Sequence, residues 1–146
     1  MRILLTTALL LLANSASAEN CAIDLQGNDM MKFDKATVTV SASCKTIVVK
    51  LTHSGKLPVT AMGHNVVIST TANLQPIAQD GMKAGAPLSY VMAGDKRVVA
   101  FTKLVGGGAS TTVSFPGKAL KAGGDYSFFC SFPGHWAIMK GKLIVQ

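Results

Sequence analysis

The chain has 146 residues, 49% of them hydrophobic, and its 14 basic and 7 acidic side chains give a formal net charge of +7. The length suits one domain with a substantial core. The cations are scattered and no aromatic residues are interleaved with them, which argues against a nucleic-acid-binding surface.

The N-terminus has the organisation of a secretory signal. Arg2 precedes an apolar run over residues 3–13, and Ala16-Ser17-Ala18 forms a cleavage site of small residues. The apolar run is too short for a comfortable membrane span, and no later segment approaches that length. We therefore predict a cleaved signal over residues 1–18, and a soluble mature domain over residues 19–146 in the periplasm.

Short strand-like segments dominate the rest of the chain. They are rich in Val, Ile, Thr and Phe, several alternate apolar with polar residues, and Gly or Pro separates them. The candidates are residues 21–25, 37–40, 46–51, 65–69, 97–103, 111–115, 126–130 and 142–145. This spacing predicts an all-β Greek-key sandwich or barrel of about eight strands.

Residues 71–85 interrupt the strand pattern. Leu74, Ile77, Ala78 and Met82 recur at helical spacing. We predict a short helical insertion here, with Asn73 as its N-cap.

Three cysteines are an odd number for an exported chain. Cys21 and Cys44 flank strand-like sequence, whereas Cys130 lies among residue types that bind metals. The economical division is a Cys21–Cys44 disulfide with Cys130 left as a metal thiolate, although the residues alone leave other pairings open.

The strongest chemical signal is the spacing Cys130-x4-His135-x3-Met139 on a loop between two predicted strands. A further histidine, His64, lies far upstream. Two imidazoles, a thiolate and a weak thioether form the ligand set of blue-copper electron-transfer sites. Cys130 and His135 could instead form a nucleophilic pair, but no third orienting group lies nearby in the sequence.

These motifs resemble those of the azurins, a family of blue-copper cupredoxins, over essentially all of residues 19–146. The length of the loop between Cys130 and His135 distinguishes the azurins from the plastocyanins and amicyanins, in which this loop is shorter. The matching segments are Gln26-Gly27-Asn28-Asp29, Met62-Gly63-His64-Asn65, Asp80-Gly81-Met82, Phe128-Phe129-Cys130, Phe132-Pro133-Gly134-His135 and Met139-Lys140-Gly141.

The resemblance implies one mononuclear type 1 copper ion and a role for each ligand position. His64, Cys130 and His135 match the three strong ligands. Met139 matches the long axial ligand, and the carbonyl oxygen of Gly63 matches the distant contact on the opposite side.

The resemblance also implies roles for the residues around the ligands. Asn65 and Phe132 match positions whose backbone amides donate hydrogen bonds to the ligand sulfur. His53 matches a histidine that lies near the copper without binding it. The family also has the disulfide between the positions of Cys21 and Cys44.

The function implied is a monomeric carrier of single electrons, not an enzyme, with c-type cytochromes or periplasmic reductases as partners. The alternative is a periplasmic copper-delivery module without redox turnover. Electrons would pass at His135, through an apolar docking face formed by Met31, Leu57, Met62, Met82, Phe132, Pro133, Ala137 and Ile138. Trp136 departs from many relatives, and the sequence leaves open whether it enlarges this face or folds over it.

Overall fold

The computed structural model describes residues 19–146, so the predicted signal over residues 1–18 lies outside the described residues. This part of the chain forms eight strands and two α-helices. Neither helix is long and apolar enough to cross a membrane. The strands are β1 (Ala22–Gly27), β2 (Thr37–Val40), β3 (Thr46–His53), β4 (Val67–Thr70), β5 (Val98–Phe101), β6 (Ser110–Pro116), β7 (Tyr126–Phe129) and β8 (Lys140–Val145), and the helices are α1 (Val59–Met62) and α2 (Leu74–Ala84).

The strands form two mixed sheets that face each other. One has the order β1-β3-β6 and the other β2-β8-β7-β4-β5, with parallel pairing of β1 with β3 and of β2 with β8. Side chains alternate between the two faces of a strand, so Val49, Leu51 and His53 of β3 point into the core while Lys50 is exposed. The predicted all-β sandwich is confirmed. The same alternation buries His53, at the end of the molecule that carries the ligand residues.

Helix α2 covers the outer face of the larger sheet. Its buried residues, Leu74, Ile77, Ala78 and Gly81, recur at one-face spacing. Leu74, Ile77 and Ala78 form a second apolar cluster with Val67, Val91 and Phe129. All four residues of β7 are therefore buried, which protects the strand that leads into Cys130.

The predicted helical insertion is confirmed, but the cap is wrong. Asn73 ends a 3-10 turn over Thr71–Asn73 and makes no capping hydrogen bond with its side chain. Its backbone is helical, with φ −91° and ψ −8°, whereas a capping residue needs an extended backbone to turn its side chain towards the first free amides.

The disulfide joins Cys21 to Cys44, with their Cα atoms 5.7 Å apart. The bridge links the start of β1 to the turn before β3, and the predicted pairing is confirmed. Cys130 is the free cysteine of residues 19–146 and is buried.

Candidate metal centre

The three downstream candidates lie on one closed loop between β7 and β8. The amide of Cys130 donates to the carbonyl of Met139 at 3.0 Å, and the amide of Met139 donates to that of His135 at 2.8 Å. Gly134 turns the chain into His135 with φ +82°, a left-handed conformation that favours glycine. The short loop thus holds Cys130, His135 and Met139 at one end of the sandwich.

His64 reaches the same place from a different part of the chain. It follows α1 and pairs with Val105 through two backbone hydrogen bonds of 2.9 Å. This isolated bridge ties the His64 segment to the chain leaving β5. The structure therefore brings together all four side chains that the sequence predicted as ligands.

The donor atoms have the separations that a single metal ion requires. The Sγ atom of Cys130 lies 3.6 Å from Nδ1 of His135 and 3.9 Å from Nδ1 of His64. Metal–nitrogen and metal–sulfur bonds of about 2.0 and 2.3 Å, at angles near 110–120°, place the two donor atoms about 3.5–3.7 Å apart. One thiolate and two imidazoles so placed fit copper well.

The two weaker candidates lie beside this group. The carbonyl oxygen of Gly63 is 3.8 Å from Sγ of Cys130. Met139 is fully buried, and its methyl carbon lies 3.0 Å from the position that a Cβ on Gly27 would occupy. The Cδ2 atom of His64 is 2.7 Å from the same position, so only glycine lets β1 approach both residues.

Burial shifts the pKa of every strong donor against its charged form. It raises the pKa of the Cys130 thiol to about 12, although the backbone amides of Asn65 and Phe132 donate to the sulfur and oppose the shift. Burial, reinforced by neighbouring histidines, lowers the pKa of His135 to about 4, and burial also lowers that of His64. Both imidazoles are therefore neutral near pH 7, as metal binding requires, whereas the thiol must lose its proton when a metal binds.

Two buried histidines stack here, and their hydrogen bonds distinguish them. The rings of His53 and His64 have centroids 4.3 Å apart and are inclined by 14°. In His53 both nitrogens are engaged: Nε2 with the carbonyl of Met62 at 2.8 Å, and Nδ1 with the amide of Gly55 at 3.0 Å. In His64, Nε2 donates to the carbonyl of Asn28 at 2.8 Å, which fixes the proton there and leaves Nδ1 free to face Cys130.

A buried polar network holds the segment around the sulfur. The side chain of Asn65 accepts from the amide of Ser131 and donates to the hydroxyl of Ser131 and to the carbonyl of Ser89, each at 2.8 Å. The sequence analysis singled out the backbone amides of Asn65 and Phe132 but missed both serines. Ser89 has a left-handed backbone, φ +55°, and no local sequence pattern indicates that its carbonyl points inward.

Several apolar side chains close in sequence to the ligand-loop histidine are exposed. His135 is 3% exposed, and the ring of Phe132 lies 4.6 Å from its own, centroid to centroid. Of the eight residues predicted to form the docking face, Leu57, Met82, Pro133, Ala137 and Ile138 are exposed and Met31, Met62 and Phe132 are half-buried.

Trp136 packs on the side of the ligand loop that meets α2. It is half-buried and packs against the apolar cluster beneath α2. The side chain next to His135 therefore ties the ligand loop to the helix.

Comparison with known proteins places this geometry in a family. The model of the copper-binding proteins of the plastocyanin/azurin family matches residues 19–146. The azurin of Alcaligenes faecalis is 50% identical over 123 residues, which is 84% of this chain and 96% of that protein. The azurin of Pseudomonas aeruginosa is 46% identical over 136 residues, or 93% and 92% of the two chains. A solved structure of an azurin, Az-iso2 from Methylomonas sp. strain J, superposes with a TM-score of 0.83 at 40% identity and covers 86% of this chain and 98% of its own.

Proposed function

The chain belongs to the plastocyanin/azurin family of copper-binding proteins, and from this premise we propose that His64, Cys130 and His135 are the strong ligands of its copper ion. Met139 and the Gly63 carbonyl are the weak ligands of the same site. The protein is a blue-copper electron-transfer protein, and the copper supplies a one-electron couple between Cu(I) and Cu(II). The observation that carries the ligand assignment is the set of 3.6 and 3.9 Å separations between the thiol sulfur and the two Nδ1 atoms.

The protein's own residues fix the donor positions before any metal is bound. His64 is oriented by the Asn28 carbonyl, and the Cys130 segment by the side chain of Asn65. Since both partners are backbone or buried groups, the donors have little freedom to rearrange when the charge of the site changes. The buried surroundings also disfavour extra positive charge, which favours the reduced form.

Location and partners follow from the N-terminal sequence, the disulfide and the apolar residues near His135. The predicted signal over residues 1–18 and the Cys21–Cys44 disulfide support export to an oxidising compartment, which we assign as the periplasm. Azurins are electron carriers rather than classical enzymes, so we expect the single domain over residues 19–146 to act as a monomer between redox proteins. The partners are c-type cytochromes or periplasmic reductases that contact the docking face, where exposed apolar side chains lie close in sequence to His135.

A visible absorption spectrum tests the function directly. The mature protein loaded with Cu(II) should show an intense blue band that disappears on reduction and returns on reoxidation. A colourless protein that binds Cu(I) and hands it to a chelator would instead support copper delivery.

A matched pair of histidine variants tests the ligand assignment. We expect His64→Gln to lose the blue band and His53→Gln to retain it, because both rings are buried but only His64 has a free nitrogen towards Cys130. Cys130→Ser should abolish the band altogether. Survival of the band in either His64→Gln or Cys130→Ser would refute the assignment.

A further inference from the structure

Exposed lysines lie close in the chain to residues of the docking face. Four lysines follow or precede apolar residues at this end of the molecule, and all four are exposed: Lys32, Lys56, Lys83 and Lys103. None of them forms an ion pair with another of residues 19–146.

Two of these lysines lie on the side of His64. Lys32 follows Met31 in the loop after β1, where the amide of Asn28 donates to the Lys32 carbonyl at 3.2 Å. The same Asn28 accepts from the ring of His64. Lys56 precedes Leu57, and its amide donates to Asp29 of that loop at 2.7 Å. Both lysines are therefore anchored to a loop that contacts a ligand.

The other two lie on the side of Phe132. Lys103 precedes Leu104, whose Cδ2 atom is 2.9 Å from the position of a Cβ on Gly63. Lys83 follows the exposed Met82 at the end of α2.

A chain of contacts connects the end of α2 to the ligand loop. Gly81 of the helix lies against the backbone carbonyl of Tyr90. The ring of Tyr90 has its centroid 5.4 Å from that of Phe132, which in turn contacts His135. Three of the lysines thus adjoin a docking-face residue in the chain, and Lys103 adjoins Leu104, which lies close to Gly63.

Little negative charge offsets them. The oxygens of Asp29 accept from the amides of Lys56 and Leu57. Those hydrogen bonds lower its pKa, so it stays ionised and contributes one negative charge. On α2, one turn before Lys83, Asp80 shares Arg97 with Asp95, so this cluster keeps one negative charge, whereas Asp125 is paired with Lys142. Four unpaired lysines thus face two uncompensated negative charges, one on Asp29 and one left over where Asp80 and Asp95 share Arg97, so the surroundings of the docking face stay positive.

We infer that the electron-transfer partner is an acidic redox protein, with carboxylates that surround an apolar contact patch. This inference rests on the proposed function, since it concerns the partner of the same site. The apolar centre provides a contact without charge, and the lysines around it attract a negatively charged protein and orient it before contact. Exposed pairs of this kind are weak and screened by salt, so the complex can separate after each transfer.

Electron-transfer kinetics with a charge-reversal variant test the inference. The reduced copper protein is mixed in a stopped-flow instrument with an acidic c-type cytochrome at ionic strengths from about 0.01 to about 0.5 M. The variant is Lys56→Glu/Lys83→Glu. Its control is Lys118→Glu/Lys121→Glu, which changes the net charge by the same amount at the opposite end of the sandwich. There Gly117 lies against the carbonyl of Cys44, and the amide of Lys121 donates a hydrogen bond to the hydroxyl of Tyr126.

The expected rate constant of the unaltered protein falls about tenfold or more across this range of salt. At low ionic strength the site-end variant should be slower by about tenfold and the control by less than about threefold, and all three should converge at high salt. A basic cytochrome should show the opposite salt dependence. Reduction potentials of all three proteins are recorded, so that rates are compared at equal driving force.

Equal slowing of the two variants, or a rate independent of salt, would overturn the inference. A failure of the proposed function has a different signature. In that case the unaltered protein would lack the reversible blue band or would not exchange electrons even with hexacyanoferrate.

Discussion

The hydrogen-bonding side chain of Asn65 makes a sharp prediction about stability. Asn65→Ala removes three hydrogen bonds of 2.8 Å from a fully buried site. The Ser131 amide loses its acceptor, at a cost of about 1–3 kcal/mol, and the two lost bonds from Nδ2 add about 1 kcal/mol each. The carbonyl of Ser89 keeps one donor, the Ser131 hydroxyl at 3.1 Å. We therefore expect the metal-free protein to lose about 3–5 kcal/mol of its free energy of unfolding.

Urea unfolding of the metal-free protein measures this loss without the contribution of metal binding. Asn73→Ala is the matched control, because that side chain makes no capping bond and its removal should cost less than about 0.5 kcal/mol. In the copper-loaded Asn65→Ala protein the blue band should shift, because the lost side-chain bonds hold in place the segment whose backbone amide donates to the Cys130 sulfur. A loss below about 1 kcal/mol, or equal losses in the two variants, would refute the reasoning.

Three further predictions concern the loop, the weak ligand and acid stability. Met139→Leu should keep a blue band with a raised reduction potential, because only a weak donor is lost; voltammetry checks this, and complete loss of copper would contradict it. Trp136→Ala should lower the free energy of unfolding by about 2 kcal/mol, against less than about 0.5 kcal/mol for the exposed Ile138→Ala in the same loop, because only the indole packs beneath α2. The Arg97 guanidinium holds the pKa of Asp95 below its usual value, so the folded state binds fewer protons and this stabilisation is lost as the pH falls below about 4. Asp95→Asn should therefore flatten the acid side of the stability profile measured by urea unfolding, and parallel profiles would contradict this.

Most of the fold was predictable because its signals are local. Strands such as β3 alternate buried and exposed residues over eight positions, and Gly or Pro marks the turns. Every predicted strand occurs with its bounds displaced by at most two residues. Helix α2 was predictable for the same reason, since its buried face repeats every three or four residues.

The errors concern features that depend on backbone geometry rather than on pattern. Asn73 is of the residue type that caps helices, but a preceding 3-10 turn gives it a helical backbone and prevents the bond. The four-residue helix α1 has no buried residue and hence no periodic signal, and it was not predicted. Trp136 could not be placed from sequence, because the helix it packs on is some fifty residues away.

The sequence alone determined the chemistry of the ligand loop, since Cys130, His135 and Met139 lie within ten residues and a short loop must keep them close. It also predicted His64, but through a family resemblance and not through its own spacing. The resemblance also separates His64 from His53, but only the tertiary structure gives the physical reason, since the two rings stack on each other and are equally buried. The distinction depends on hydrogen bonds from distant segments: Met62 and Gly55 occupy both nitrogens of His53, whereas Asn28 occupies only one of His64. Such contacts join residues that no local pattern relates, so they exist only once the chain has folded.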